Sequence, residues 1–161
     1  MKNVILSSLT LLLLFTFTFA AAQSIKGAWE YEKVIVNNQD GETVIDEMQP
    51  SLLMFMDKHY SIAFVRSTEA RELLPEGVNR ENMTPEQWKN MGMTYVSNSG
   101  VYEISGNKIN LMPTIAFFPN YMNGGSVSWE FEVKEKELIL YFSGGEGDQA
   151  WSRKEILKKV E

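Results

Sequence analysis

The chain of 161 residues contains no cysteine. Its fold is therefore held without disulfides, and thiol nucleophiles, Cys-ligated metals and lipid attachment to an N-terminal Cys are excluded. Histidine is nearly absent. His59 stands alone, with no second His or Cys to complete a metal site or a base–nucleophile pair, and it reads as a solvated turn residue. No Gly-x-Ser-x-Gly occurs, and any triad would have to use that single histidine. Gly144-Gly145-Glu146-Gly147 is followed by neither Lys-Ser/Thr nor a helix start, so it reads as a loop and not as a phosphate cradle. Positive charge is scarce, with 15 Lys and Arg against 21 Asp and Glu and a net charge of −6. The tail Lys154, Lys158, Lys159 is mixed with Glu155 and Glu161. Nucleic acid and anionic membranes demand clustered Lys and Arg, so neither is expected as a partner.

What is present begins with a leader. Lys2 precedes an apolar stretch over residues 4–19, and Ala20-Ala21-Ala22 forms a small-residue cleavage site before Gln23. This pattern predicts a signal peptide over residues 1–22, a secreted or periplasmic protein, and one mature domain over residues 23–161. An uncleaved anchor is the rival, disfavoured because the apolar run is short for a span. Lys2 is the only charge removed with the leader, which leaves 14 basic and 21 acidic residues.

The mature part is rich in β-branched and aromatic residues split by turn chemistry. Residues 25–36 read as a first strand, and Asp40-Gly41 as the turn after it. Residues 52–56 and 60–65 read as a hairpin. Residues 67–92 break the pattern. Thr84-Pro85-Glu86-Gln87 has the chemistry of a capping box with Pro in the first turn, predicting a short helix over 85–90 ended by Gly92. Asn82-Met83-Thr84 also matches a glycosylation sequon, but the cap explains Thr84 better. Strands are expected over 94–104, bent at Ser99-Gly100, and over 108–112, with the turn Ser105-Gly106-Asn107 between them. An aromatic loop spans 114–125. Val127, Trp129, Phe131 and Val133 alternate with polar residues and mark a half-buried strand. Further strands cover 138–142 and, from Ala150, 150–153 and onward. About eight short strands with one helical insertion suggest a closed barrel or a sandwich, and periodicity alone does not choose.

Gly27-Ala28-Trp29 resembles the Gly-x-Trp signature of the lipocalin superfamily. Leu53-Met54-Phe55-Met56-Asp57, Gly100-Val101-Tyr102, Phe118-Pro119-Asn120-Tyr121 and Phe131-Glu132-Val133 resemble, in order, stretches of the bacterial lipocalin-like domain family. The usual Asp-Gly turn between late strands is Lys134-Glu135-Lys136 here. The resemblance implies an all-β fold, a roughly eight-stranded antiparallel lipocalin-like barrel with one short helical insertion. It also implies that Trp29, with Gly27, plugs one end under a basic side chain of the last strand, for which Arg153 is the candidate.

The acidic cluster Asp40, Glu42, Asp46 and Glu47 lacks the spacing of a calcium loop and reads as solvated. Glu130 and Glu132 lie on the polar face of their strand. No metal, cofactor or catalytic residue is assigned. The positive signal is apolar: Tyr31, Phe55, Phe64, Tyr102, Trp129 and Phe131 are expected inside the barrel, Phe117 at its rim, and Arg66 beside a polar end of a ligand. The leading expectation is a binder of a small apolar molecule. The alternatives are a solid barrel that contacts a protein through its loops at Phe117, Phe118 and Tyr121, and an isomerase- or cyclase-type enzyme with a buried carboxylate such as Glu103.

Overall fold

The computed structural model describes residues 24–160, so the leader expected over residues 1–22 lies outside the described residues. The elements run β1 (Gly27–Asn38), β2 (Gly41–Ile45), β3 (Leu52–Phe55), β4 (His59–Val65), α1 (Pro85–Met93), β5 (Tyr95–Ser105), β6 (Lys108–Ala116), β7 (Val127–Lys134), β8 (Glu137–Gly144) and β9 (Trp151–Lys159). From β3 onward each strand pairs antiparallel with the next, and β9 returns to pair with β1. β2 and β3 share one edge of β1: β2 faces residues 34–38 and β3 faces residues 27–30. They are two halves of one ring position, so the nine segments form a closed antiparallel barrel of eight strands.

The break between β2 and β3 is stitched by Ser51. Its carbonyl accepts from the Tyr31 amide at 3.3 Å, its hydroxyl accepts from the Val65 amide at 2.9 Å, and the same hydroxyl donates to the Gln49 carbonyl at 2.9 Å. These bonds replace ladder bonds that the interrupted strand no longer supplies.

Two bulges set which side chains face inward. In β1 the pairing with β9 shifts between Tyr31 and Lys33, so Glu32 is an extra residue. Trp29 and Tyr31 are buried before the shift and Val34 after it, where strict alternation would have turned Lys33 and Ile35 inward. In β5 the register shifts between Ser99 and Gly100, at the bend expected there. A Cβ on Gly100 would lie 2.1 Å from the Met112 carbonyl oxygen, so only glycine fits against β6.

One half of the barrel is solid. Trp29, Leu53, Ile109, Leu138, Leu140 and Leu157 are fully buried there. The Trp29 indole N–H donates to the Ile25 carbonyl at 2.7 Å, which satisfies its only polar atom. The cation over this ring is Lys159, with Nζ 5.5 Å from the ring centroid, and not Arg153 as the resemblance implied. The closing register explains the correction: it sets Lys159 opposite Trp29 and Arg153 opposite Val36, toward the other end of β1. β9 runs to Lys159, well past residues 150–153, so the basic residue that reaches the indole lies further along it.

The capping box forms as expected: the Thr84 hydroxyl accepts from the Gln87 amide at 3.3 Å, and the Gln87 side chain accepts from the Thr84 amide at 2.8 Å. The helix does not stop at Gly92 but runs through it to Met93, with Thr94 as its C-cap. A Cβ at Gly92 would lie in ordinary contact with the Phe117 ring at 3.5 Å, so the helix passes beside that aromatic side chain. β6 continues to Ala116, past the expected end, and Pro119–Met122 forms a 3-10 turn within the aromatic loop.

Gly100→Ala is expected to lower unfolding stability by about 3 kcal/mol or more in urea titration, because the new methyl meets backbone that cannot rotate away. A loss below about 1 kcal/mol would show that β5 and β6 can separate without penalty.

A candidate ligand cavity at the barrel mouth

The half of the barrel away from Trp29 is hollow. A cavity of about 180 Å³ lies among side chains of β1, β4, β5, β6, β7, β8 and β9. An apolar cavity of roughly 150 Å³ is large enough for a benzene ring. A second space of about 180 Å³ lies beside it, between β1, β2 and the end of β4. Phe64, Arg66, Arg153 and Glu155 line both.

The wall is aromatic. Tyr31 and Phe64 pack with ring centroids 4.8 Å apart, and Trp129 meets Phe142 edge-on at 5.3 Å. Tyr60 is buried and its hydroxyl donates to the Asn98 side-chain oxygen at 2.6 Å. Burial pushes that hydroxyl up to about 12, so it remains a donor throughout the physiological range.

Charge enters through β9. Its inward face carries Arg153, Glu155 and Leu157 in alternation, so a strand that plugs one end of the barrel with leucine brings a carboxylate and a guanidinium to the other. Glu155 is 3% exposed. Arg153 Nε lies 3.0 Å from Glu155 Oε1, yet its N–H is not aligned on that oxygen and is buried without an acceptor. The contact is therefore one between charges. The guanidinium lies over the Phe142 ring, 4.3 Å from its centroid. Burial pushes the Glu155 carboxyl up to about 7 against the opposing pull of Arg153 and Arg66. Burial, and then the Glu155 charge, holds the Tyr31 hydroxyl well above its ordinary range. Among the described residues that hydroxyl has no protein hydrogen-bond partner.

Of the expected ligand-facing residues, Tyr31, Phe64, Arg66 and Trp129 converge on this cavity. Phe55, Tyr102 and Phe131 do not. Phe55 and Tyr102 pack edge-on at 5.0 Å, and Tyr102 donates its hydroxyl to the Met56 carbonyl at 2.6 Å, at the turn between β3 and β4. Phe131 packs against the solid core. These three lie nearer the plugged half, where alternation correctly turns them inward but leaves no space beside them. Phe117 is 48% exposed and meets Phe118 and Tyr95 edge-on outside the cavity. Tyr121, from the same loop, does reach the mouth. Glu103 is exposed, so the buried carboxylate is Glu155 instead. Sequence reasoning missed Glu155 and set Arg153 at the Trp29 end instead of the mouth, although the spacing of two ahead of Leu157 was the available signal that Arg153 and Glu155 share a face.

His59 opens β4 in an exposed position, and Asp40, Glu42, Asp46 and Glu47 are exposed. Glu132 and Lys134 pair at 3.0 Å on the outer face of β7.

The buried carboxyl makes stability depend on pH. Its pKa is about 7 in the folded chain and near 4.5 when unfolded, so the folded state holds the proton more tightly. Its contribution is full below pH 4.5 and is lost as pH rises through 7, on the order of 3 kcal/mol. Urea titrations of Glu155→Gln are expected to lack this decline and to show higher stability than the parent at pH 8. Parallel pH profiles for the two proteins would contradict the assignment. Compared with protein-family models and with curated proteins, the chain matches none.

Proposed function

We propose that the protein is an exported, lipocalin-like barrel that binds a small molecule with a substantial apolar part in the mouth of the barrel. The observation that carries this reading is the cavity of about 180 Å³ walled by Tyr31, Phe64, Trp129 and Phe142, in a barrel whose other half is packed solid. A barrel selected only as a scaffold would be expected to fill that space with side chains, as its other half is filled. The size favours a ligand of about ten non-hydrogen atoms, and apolar burial in a preformed site supplies its affinity. The apolar stretch over residues 4–19 with Ala20-Ala21-Ala22, and the Gly-x-Trp resemblance at residues 27–29, support export and kinship with the lipocalin-like family.

Toluene and indole are expected to bind with dissociation constants from about 10 µM to 1 mM, as ligands of this size allow. NMR shift changes should concentrate on Val96, Leu111 and Val127, which line the cavity. Val127→Trp, which fills the mouth, is expected to abolish binding while the circular dichroism spectrum is kept. Absence of shift changes with both compounds at millimolar concentration would overturn the reading. For export, the mass of the protein recovered outside the cytoplasm should match a chain that starts at Gln23. Recovery with residues 1–22 still attached would contradict cleavage.

A further inference from the structure

The small-molecule reading leaves unexplained why an apolar cavity in an acidic protein holds two guanidinium groups. The chain carries a net charge of −6, yet Arg66 and Arg153 share the mouth with a single carboxylate, Glu155. With Glu155 ionised the mouth holds one excess positive charge, and with Glu155 protonated it holds two.

The geometry leaves donors without acceptors. The Arg153 Nε–H is buried and unpaired although Glu155 Oε1 is 3.0 Å from the nitrogen. The Tyr31 hydroxyl faces the same cavity without a protein partner among the described residues. Stacking on Phe142 holds the Arg153 guanidinium plane in place, so its donors are set before any ligand arrives. Arg66 is at the exposed end of β4, where it can follow an entering group. A ligand carboxylate offers about four lone-pair positions and can accept from both guanidiniums and from Tyr31 together. A neutral amide or alcohol can satisfy only part of that set, and a cation meets two like charges.

We infer that the cavity takes a small aromatic or aliphatic monocarboxylate, whose anionic group docks between Arg66 and Arg153, displaces Glu155 as the partner of Arg153, and couples binding to the uptake of one proton by Glu155. This rests on the small-molecule reading above and specifies its ligand class. Proton uptake follows because Glu155, 3% exposed and with Arg153 turned to the ligand, would have to keep its charge out of water and beside a second anion. The groups facing Glu155 are Arg153 on its own strand, Arg66 after β4 and Tyr31 on β1. β8 presents Leu140 and Phe142, and the β1–β2 side presents Val34, Ile45 and Met48, none of them charged. Burial already holds the Glu155 carboxyl near the point where a modest push protonates it at neutral pH.

The test uses benzoate, benzamide and benzamidine, which share a ring and differ in charge, in calorimetric titrations of the mature protein from pH 6 to 8.5. Benzoate stays ionised across that range. Its affinity is expected to be level near pH 6 and to fall about tenfold between pH 7.5 and 8.5, with one proton taken up as judged from buffers of different ionisation heat. Benzamide should bind more weakly and without pH dependence, and benzamidine should not bind. Glu155→Gln is expected to bind benzoate at least about tenfold more tightly at pH 8.5 and with a flat profile. Arg66→Gln, at an exposed position that does not threaten folding, should weaken benzoate about tenfold and benzamide by a clearly smaller factor. Equal, pH-independent binding of benzoate and benzamide, or preference for benzamidine, would overturn the inference and leave small-molecule binding intact. Binding of toluene or indole with none of the three probes would do the same. Failure of all five compounds would remove both readings.

Discussion

The pairing of β1 with β9 is the constraint on which the molecule depends. β1 is the longest strand, and it carries three partners: β9 along one edge, and β3 and β2 in turn along the other. Without that closure both β1 and β9 would present a long free edge to solvent, and the cylinder would open into a sheet with one face unburied. The same register sets Lys159 over Trp29 at the plugged end and brings Arg153 and Glu155 to the mouth. One pairing therefore positions the plug and the polar groups of the cavity together.

The two halves of the barrel solve opposite problems. At the Trp29 end, leucine and isoleucine side chains from β3, β6, β8 and β9 fill the interior, and the one indole N–H is satisfied by the Ile25 carbonyl. This is ordinary close packing, in which each buried methylene adds about 0.8 kcal/mol. At the mouth, a nearly fully buried carboxylate and the buried Nε of a half-buried arginine meet with one contact between them and no aligned hydrogen bond. Such a pair is poor stabilising design, since desolvation of each ion offsets much of the attraction. A structure that keeps it beside an unfilled cavity has placed strong, underused polar groups where a ligand would meet them.

The interrupted strand position contributes to the same end of the molecule. Where β2 gives way to β3, the chain leaves the ring and Ser51 carries hydrogen bonds that tie the gap to β1 and β4. The second space, shared with the main cavity through Phe64, Arg66, Arg153 and Glu155, lies on that side of the barrel. The exposed aromatic loop holding Phe117 and Phe118, with the helix α1 beside it through Gly92, borders the entrance by way of Tyr121.

Local chemistry was readable before any coordinates. Alternation over residues 127–133, the Asp40-Gly41 turn, the capping box at Thr84 and Gln87, and the bend at Ser99-Gly100 all follow from side-chain period, φ preference and capping, which involve neighbours in the chain. So did the all-β class and four of the residues that meet at the mouth: Tyr31, Phe64, Arg66 and Trp129. What could not be read was how the first and last strands align, because no local preference reports the register between segments from opposite ends of a chain. The extra residue at Glu32 shows why this matters: a single insertion in the pairing exchanges inward and outward faces for the rest of β1. That alignment gave the indole to Lys159, sent Arg153 to the far end, and buried Glu155 where a charged residue in a short strand would otherwise have been taken for surface. The order of residues thus specifies the pleated segments and their turns, while the choice of which side chains share an interior, and which end of it stays hollow, belongs to the closed ring.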